Sequence, residues 1–200
     1  MAAERLDTVT RQEQIKKAVL EIISTEGIGK LSTRNLASKI GVTEGALFRH
    51  FSSKKEIMLS ILDDVKNELL EKQEKITYSS SLNADEKLYQ FLCEHIKYLI
   101  ENKGITILLF SEAAHMNEPS LKKGLRNILL SQKEFISRII KQGMNEGIWN
   151  NSLNVENVAT LYMGIPISLN IEMILNPDAQ KQEKFCENMI CLIKKALEKK

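Results

Sequence analysis

Apolar residues recur along this chain at intervals of three and four rather than two, the spacing that lines one face of a helix. Ile15, Ala18, Val19, Ile22 and Ile23 form the first stripe, and Thr10 with Glu13 reads as the capping box that opens it. The stripe runs to about Glu26, where Gly27 and Gly29 can take the left-handed backbone that ends a helix. Ser32 then caps a second helix carrying Leu36, Ala37 and Ile40 on one face, and Thr43 caps a third across 44–51. Ser53 and Glu56 start a fourth, which Ile57, Ile61, Val65 and Leu69 extend to about Lys75.

A polar stretch over 77–83 interrupts the pattern before Asn83 and Glu86 start the next helix. The stripe Leu88, Phe91, Leu92, Ile96 and Leu99 follows, then a segment over 105–116 that is apolar on most of its circumference and is expected to be buried. Asn117 and Pro119 begin a long helix, and two more are predicted over about 154–175 and 177–197. The first of these is apolar all round, as suits a helix facing its own core on one side and a partner on the other, and Gly164 and Pro166 are placed to bend it. The fold class is all-α, with about nine helices: a three-helix module over 1–53 containing two short helices about a tight turn, and a larger helical domain over 54–200.

Composition supports this reading and removes other classes. Three prolines and nine glycines in 200 residues leave few obligatory breaks, and 43% hydrophobic with 27% charged residues describes an ordinary folded chain. No run approaches the roughly 18 apolar residues of a membrane span, and the opening residues lack a basic stretch followed by an apolar one, so a cytoplasmic location without membrane association is expected. Cys93, Cys186 and Cys191 are odd in number and form no C-x-x-C pair, which predicts core thiols rather than a disulfide framework or zinc site. Residues 1–60 carry 10 basic and 7 acidic groups against 18 and 19 in the remainder; so small a bias leaves spacing to carry the argument for nucleic acid.

The spacing at 41–51, GVTEGALFRHF, does so. With Leu47 and Phe51 facing inward, Glu44, Gly45, Ala46, Phe48 and Arg49 turn outward. Gly45 and Ala46 have almost no side chain, so the helix start can approach base edges, while Arg49 and His50 suit the sugar-phosphate backbone. Lys54 and Lys55 stand in the first turn of the fourth helix, where a cation opposes the helix dipole; a phosphate contact by Lys54 would account for it.

On LSTRNLASKIGVTEGALFRHF over 31–51 and its FSSKKEI continuation, residues 10–57 resemble the DNA-binding domain of the tetracycline-repressor (TetR) family of bacterial transcriptional regulators. The resemblance implies phosphate contacts from Thr33 and His50 and places Arg34, Thr43, Glu44, Gly45 and Ala46 near bases. Many members have tyrosine where this chain has Phe48, which can pack only on sugar or a thymine methyl. It further implies a homodimer formed through the last two helices, a palindromic double-stranded operator, and a small, largely apolar effector whose binding shifts the fourth helix and releases DNA.

Large or adaptable side chains suited to such a pocket are Tyr98, Phe110, Met116, Phe135, Trp149, Tyr162 and Met163, joined by His95, Glu112 and His115. His95 falls on an apolar stripe, and Glu112 with His115 forms a single Glu-x-x-His, half of what a di-iron bundle requires. An all-α enzyme or metal-binding bundle built on that pair is the alternative; with no placed nucleophile, phosphate loop or metal quartet, no turnover, metal or cofactor is expected.

Overall fold

The computed structural model describes residues 7–102, 105–115, 117–176 and 184–198. Helix α1 (Thr8–Glu26) is capped by Asp7, not Thr10: the Asp7 carboxylate accepts from the Thr10 backbone N–H and hydroxyl at 3.0 and 2.6 Å. An Asp7 cap starts the helix one turn earlier than Thr10 would, with a charged acceptor at the positive end of the helix dipole. Gly27, at φ 86°, ends the helix as its position suggests.

A 3₁₀ turn (Ile28–Lys30) leads to α2 (Thr33–Lys39), capped by Ser32, and α3 (Glu44–Leu47), capped by Thr43. Gly41, at φ 69°, makes the turn between them. Helix α3 is one turn rather than the two predicted over 44–51. Beyond Leu47 the amides of Arg49 and His50 reach back only three residues, at 3.3 and 3.0 Å, and this tighter coil buries both Leu47 and Phe51.

Helix α4 (Lys54–Asp64), a π-helical turn (Val65–Leu70) and α5 (Glu71–Tyr78) follow without a break, so the connecting rod is slightly longer than its apolar stripe suggests. Next come α6 (Ala84–Glu101), with the expected Asn83–Glu86 capping box, α7 (Ile105–His115), α8 (Pro119–Asn145), α9 (Val155–Leu175) and α10 (Phe185–Leu197). Counting α4 to α5 as one rod, the described residues form nine helices and no strand, an all-α fold. The predicted start of the last helix at 177 lies outside the described residues.

Two apolar cores organise these rods. The first joins α1 to α4 with α7 and the front of α8, through residues such as Ile15, Leu47, Met58, Leu109 and Leu121. Packing therefore runs across the 53/54 division. The second joins α6, the rear of α8, α9 and α10 around Phe91, Trp149 and Tyr162. Gly143 is required there: a Cβ would lie 2.1 Å from the Trp149 ring.

Two expectations are corrected. Cys93 and Cys186 are joined in a disulfide between α6 and α10, and Cys191 is exposed rather than in the core. The two positions are separated by 93 residues in sequence, so only the packing of α10 on α6 brings their Cα atoms to 5.6 Å. Helix α7 buries Ile105, Leu109 and Ala113, which share one face, but leaves Phe110, off that face, 46% exposed.

Candidate nucleic-acid interface and effector cavity

The α2–α3 unit presents an exposed edge on which polar residues alternate with Gly45, Ala46 and the ring of Phe48. Arg34, Thr43, Glu44, Gly45, Phe48 and Arg49 are exposed, and Thr33, Ala46 and His50 are half-buried. Thr33 donates its hydroxyl to Glu44 at 2.8 Å, tying the start of α2 to the start of α3. Around Gly45 an added Cβ would meet nothing nearer than the Thr43 hydroxyl at 4.0 Å, so the space in front of this helix start is open. The carbonyl of His50 accepts from Gln12 at 2.9 Å, pinning the end of the unit to α1.

Lys54 has an intramolecular partner. Its Nζ lies 2.8 Å from the Glu112 carboxylate on α7, whose side chain is only 3% exposed. Lys55 pairs with Glu118 just before α8 at 3.0 Å. Hydrogen bonding from Ser120, then Lys55, holds the Glu118 carboxyl down at about 2. These acids explain why two cations tolerate the first turn of α4. At the other end of α4, Asp64 accepts from buried Lys16 of α1 at 2.6 Å. Burial of Lys16 opposes its charge, but hydrogen bonds to Asp64 and Glu13 outweigh that and raise its pKa.

A cavity of about 440 Å³ opens between α6, α7, α8 and α9, with Val65 of the π-helical turn in its wall. Among the described residues that line it none is Lys, Arg, Asp or Glu, and the polar groups are His95, Gln132 and Asn170. His95 is 5% exposed, its Nδ1 has no hydrogen-bond partner, and burial pushes its pKa down to about 4, so it is neutral at ordinary pH. Gln132 donates to Gln73 at 3.0 Å, behind the wall. Phe110, Ile167 and Ile171 are half-exposed at the rim.

Of the effector residues named from sequence, His95 and Phe110 line this cavity. Tyr98 belongs to the first core, and Phe135, Trp149, Tyr162 and Met163 fill the second. Size alone cannot distinguish a large side chain that fills a core from one that borders a void. Glu112 is turned to Lys54, His115 is exposed, and Met116 lies outside the described residues. No group of three or more His, Cys, Asp or Glu suited to a metal occurs among the described residues, and Glu112 is paired with Lys54 rather than with His115. Sequence reasoning missed the aliphatic wall from α8 and α9, whose residues have the same periodicity as any core stripe.

Comparison with known proteins agrees with this architecture. Residues 15–61 match the model of bacterial regulatory proteins of the tetR family, and residues 62–194 match that of the YsiA-like protein C-terminal region. The nucleoid occlusion factor SlmA of Vibrio cholerae is 25% identical over 137 residues, 67% of this chain and 68% of that protein. The TetR family regulator PfmR of Thermus thermophilus superposes with TM-score 0.75 at 22% identity, covering 95% of this chain and 98% of its own. The regulator FadR of Bacillus subtilis, solved in complex with stearoyl-CoA, superposes with TM-score 0.69 at 20% identity, covering 93% and 99%. With both halves of the chain matched in order, it belongs to the tetR family of bacterial regulatory proteins, with a YsiA-like C-terminal region.

Proposed function

We propose that this protein is a cytoplasmic, homodimeric repressor that holds a palindromic operator through α2 and α3 and releases it when an apolar, chain-like effector fills the cavity. The observation that carries the reading is the uncharged cavity with Val65 in its wall: α4 begins under the DNA-facing unit, and the rod it starts reaches that wall. A π-helical turn at this point, where the backbone bonding is least regular, is where the rod can adjust. Of the residues the sequence suggests, Thr33, Arg34, Thr43, Gly45, Ala46, Phe48, Arg49 and His50 would supply the DNA face, while Glu44 and Lys54 have partners within the chain, Thr33 and Glu112; 1–53 and 54–200 would be the two functional divisions.

With no cation among its described lining residues, the pocket suits a neutral chain better than a free carboxylate, and neutral His95 is one of its hydrogen-bonding groups. A long acyl thioester has this chemistry, and stearoyl-CoA occupies the B. subtilis FadR structure. The dimer is supported by a stripe along α9, where Leu161, Ile171 and Leu175 are 62%, 47% and 79% exposed, flanked by Leu192 of α10 at 58%. Two-fold pairing there would give the recognition helices the symmetry a palindrome requires.

Fragments of genomic DNA selected by the purified protein, then challenged with stearoyl-CoA and with stearate, test this. The thioester should displace the DNA and the free acid should not; retention of DNA with both contradicts the effector class.

A further inference from the structure

We propose that the Cys93–Cys186 bridge is a reversible thiol–disulfide site, opened and closed by anionic low-molecular-weight thiols that enter a lysine-lined groove beside Cys93. The groove, of about 540 Å³, is formed by α5 and α6 and bordered by Lys72, Lys75, Tyr89, Cys93, Glu94 and Lys97. Lys72 lies 3.8 Å from Glu94 and Lys97 4.0 Å from Glu101, so with Lys75 the groove keeps a net positive edge that favours an anionic visitor. Both cysteines are half-buried, so the bridge is within reach of solvent. A protein that binds DNA works where small thiols keep cysteines reduced, and disulfides there are mostly transient.

The exchange balances. A small thiolate attacks Cys93 Sγ, the S–S bond breaks, and the Cys186 sulfur leaves and takes a proton. A second small thiolate attacks its partner's sulfur in the mixed disulfide, expelling the Cys93 thiolate and leaving a small-molecule disulfide as the oxidised product. Closure is the reverse, with that disulfide as oxidant.

Position gives the exchange a consequence. Residues 186, 190, 193 and 197 share the face of α10 turned to the core, while exposed Cys191 and Leu192 lie off it. The proposed dimer face therefore leaves the groove open. Helix α6 also carries His95 and Leu99 of the cavity wall, so the bridge ties the effector chamber to a helix at the proposed dimer surface. Opening it loosens α10 and weakens the spacing that two recognition helices need. This last step rests on the dimer proposed above.

The test equilibrates the full chain with mixtures of reduced and oxidised glutathione, counts free thiols by alkylation and mass, and measures affinity for the selected operator. The bridge should open and close in the folded protein, and the reduced form should bind about fivefold more weakly or worse. Cys186→Ser should show the weaker affinity in both conditions, and Cys191→Ser should keep the difference. A bridge that glutathione leaves untouched, or equal operator affinity in the two states, overturns the proposal. Sedimentation separates it from the dimer reading: a monomer that retains the redox difference contradicts the dimer while supporting the thiol site.

Discussion

Individual residues carry two consequences that are independent of DNA. Gly143 sits against the ring of Trp149, one of the largest fully buried side chains, whereas a Cβ at Gly124 would meet only the tip of Leu62, at 2.2 Å. A flexible leucine end can rotate aside; a buried indole cannot. Gly143→Ala should cost about 1–3 kcal/mol and lower Tm well beyond Gly124→Ala, a ranking that thermal melts decide. His95 gives a pH signature. Its folded pKa of about 4 lies below the ordinary 6.5, so the unfolded chain takes up a proton first as pH falls. Stability is complete above about pH 6.5 and is lost as acid is added towards 4; between about pH 7 and pH 5 the loss is about 2 kcal/mol. Melting curves for His95→Gln should lack this slope, and curves parallel to the wild type would contradict it. Glu118, held at about 2, acts in a lower window, between 4.5 and 2.

At the scale of elements, α7 stands between the two functional ends. Phe110 faces the cavity and Glu112, two positions on and therefore on nearly the opposite side, holds Lys54 at the start of α4. On the effector reading proposed above, a displacement of α7 by cargo would reach that ion pair. Glu112→Gln keeps the shape and removes the charge, freeing Lys54 for a phosphate. Operator affinity should rise, and the slope of its logarithm against that of salt should steepen by about one contact; an unchanged slope would show that Lys54 has no such second partner. Cap residues Ser32, Thr43, Ser53 and Asn83 were legible in the sequence because each acts within three residues of itself. The Lys54–Glu112 pair, the disulfide and the cavity wall were not, since each joins positions far apart in the chain and periodicity reports only which face is apolar.

For the whole molecule, the division of labour follows from where its apolar surface is satisfied. The first core closes the DNA-facing unit onto α4, α7 and α8, and the second closes α6, α9 and α10, which leave Leu161, Leu175 and Leu192 exposed. Between them lies the uncharged cavity. Fold class and the DNA-facing unit were readable from local spacing, whereas the cavity emerges only from how four helices meet. All of this depends on the nearly bare start of α3 meeting base edges. The most direct test is operator binding by Ala46→Trp, followed by fluorescence anisotropy, with circular dichroism to show that helix content is retained. The bulky ring should reduce affinity by about a hundredfold or more; a folded variant that binds the operator as tightly as the wild type would contradict the account.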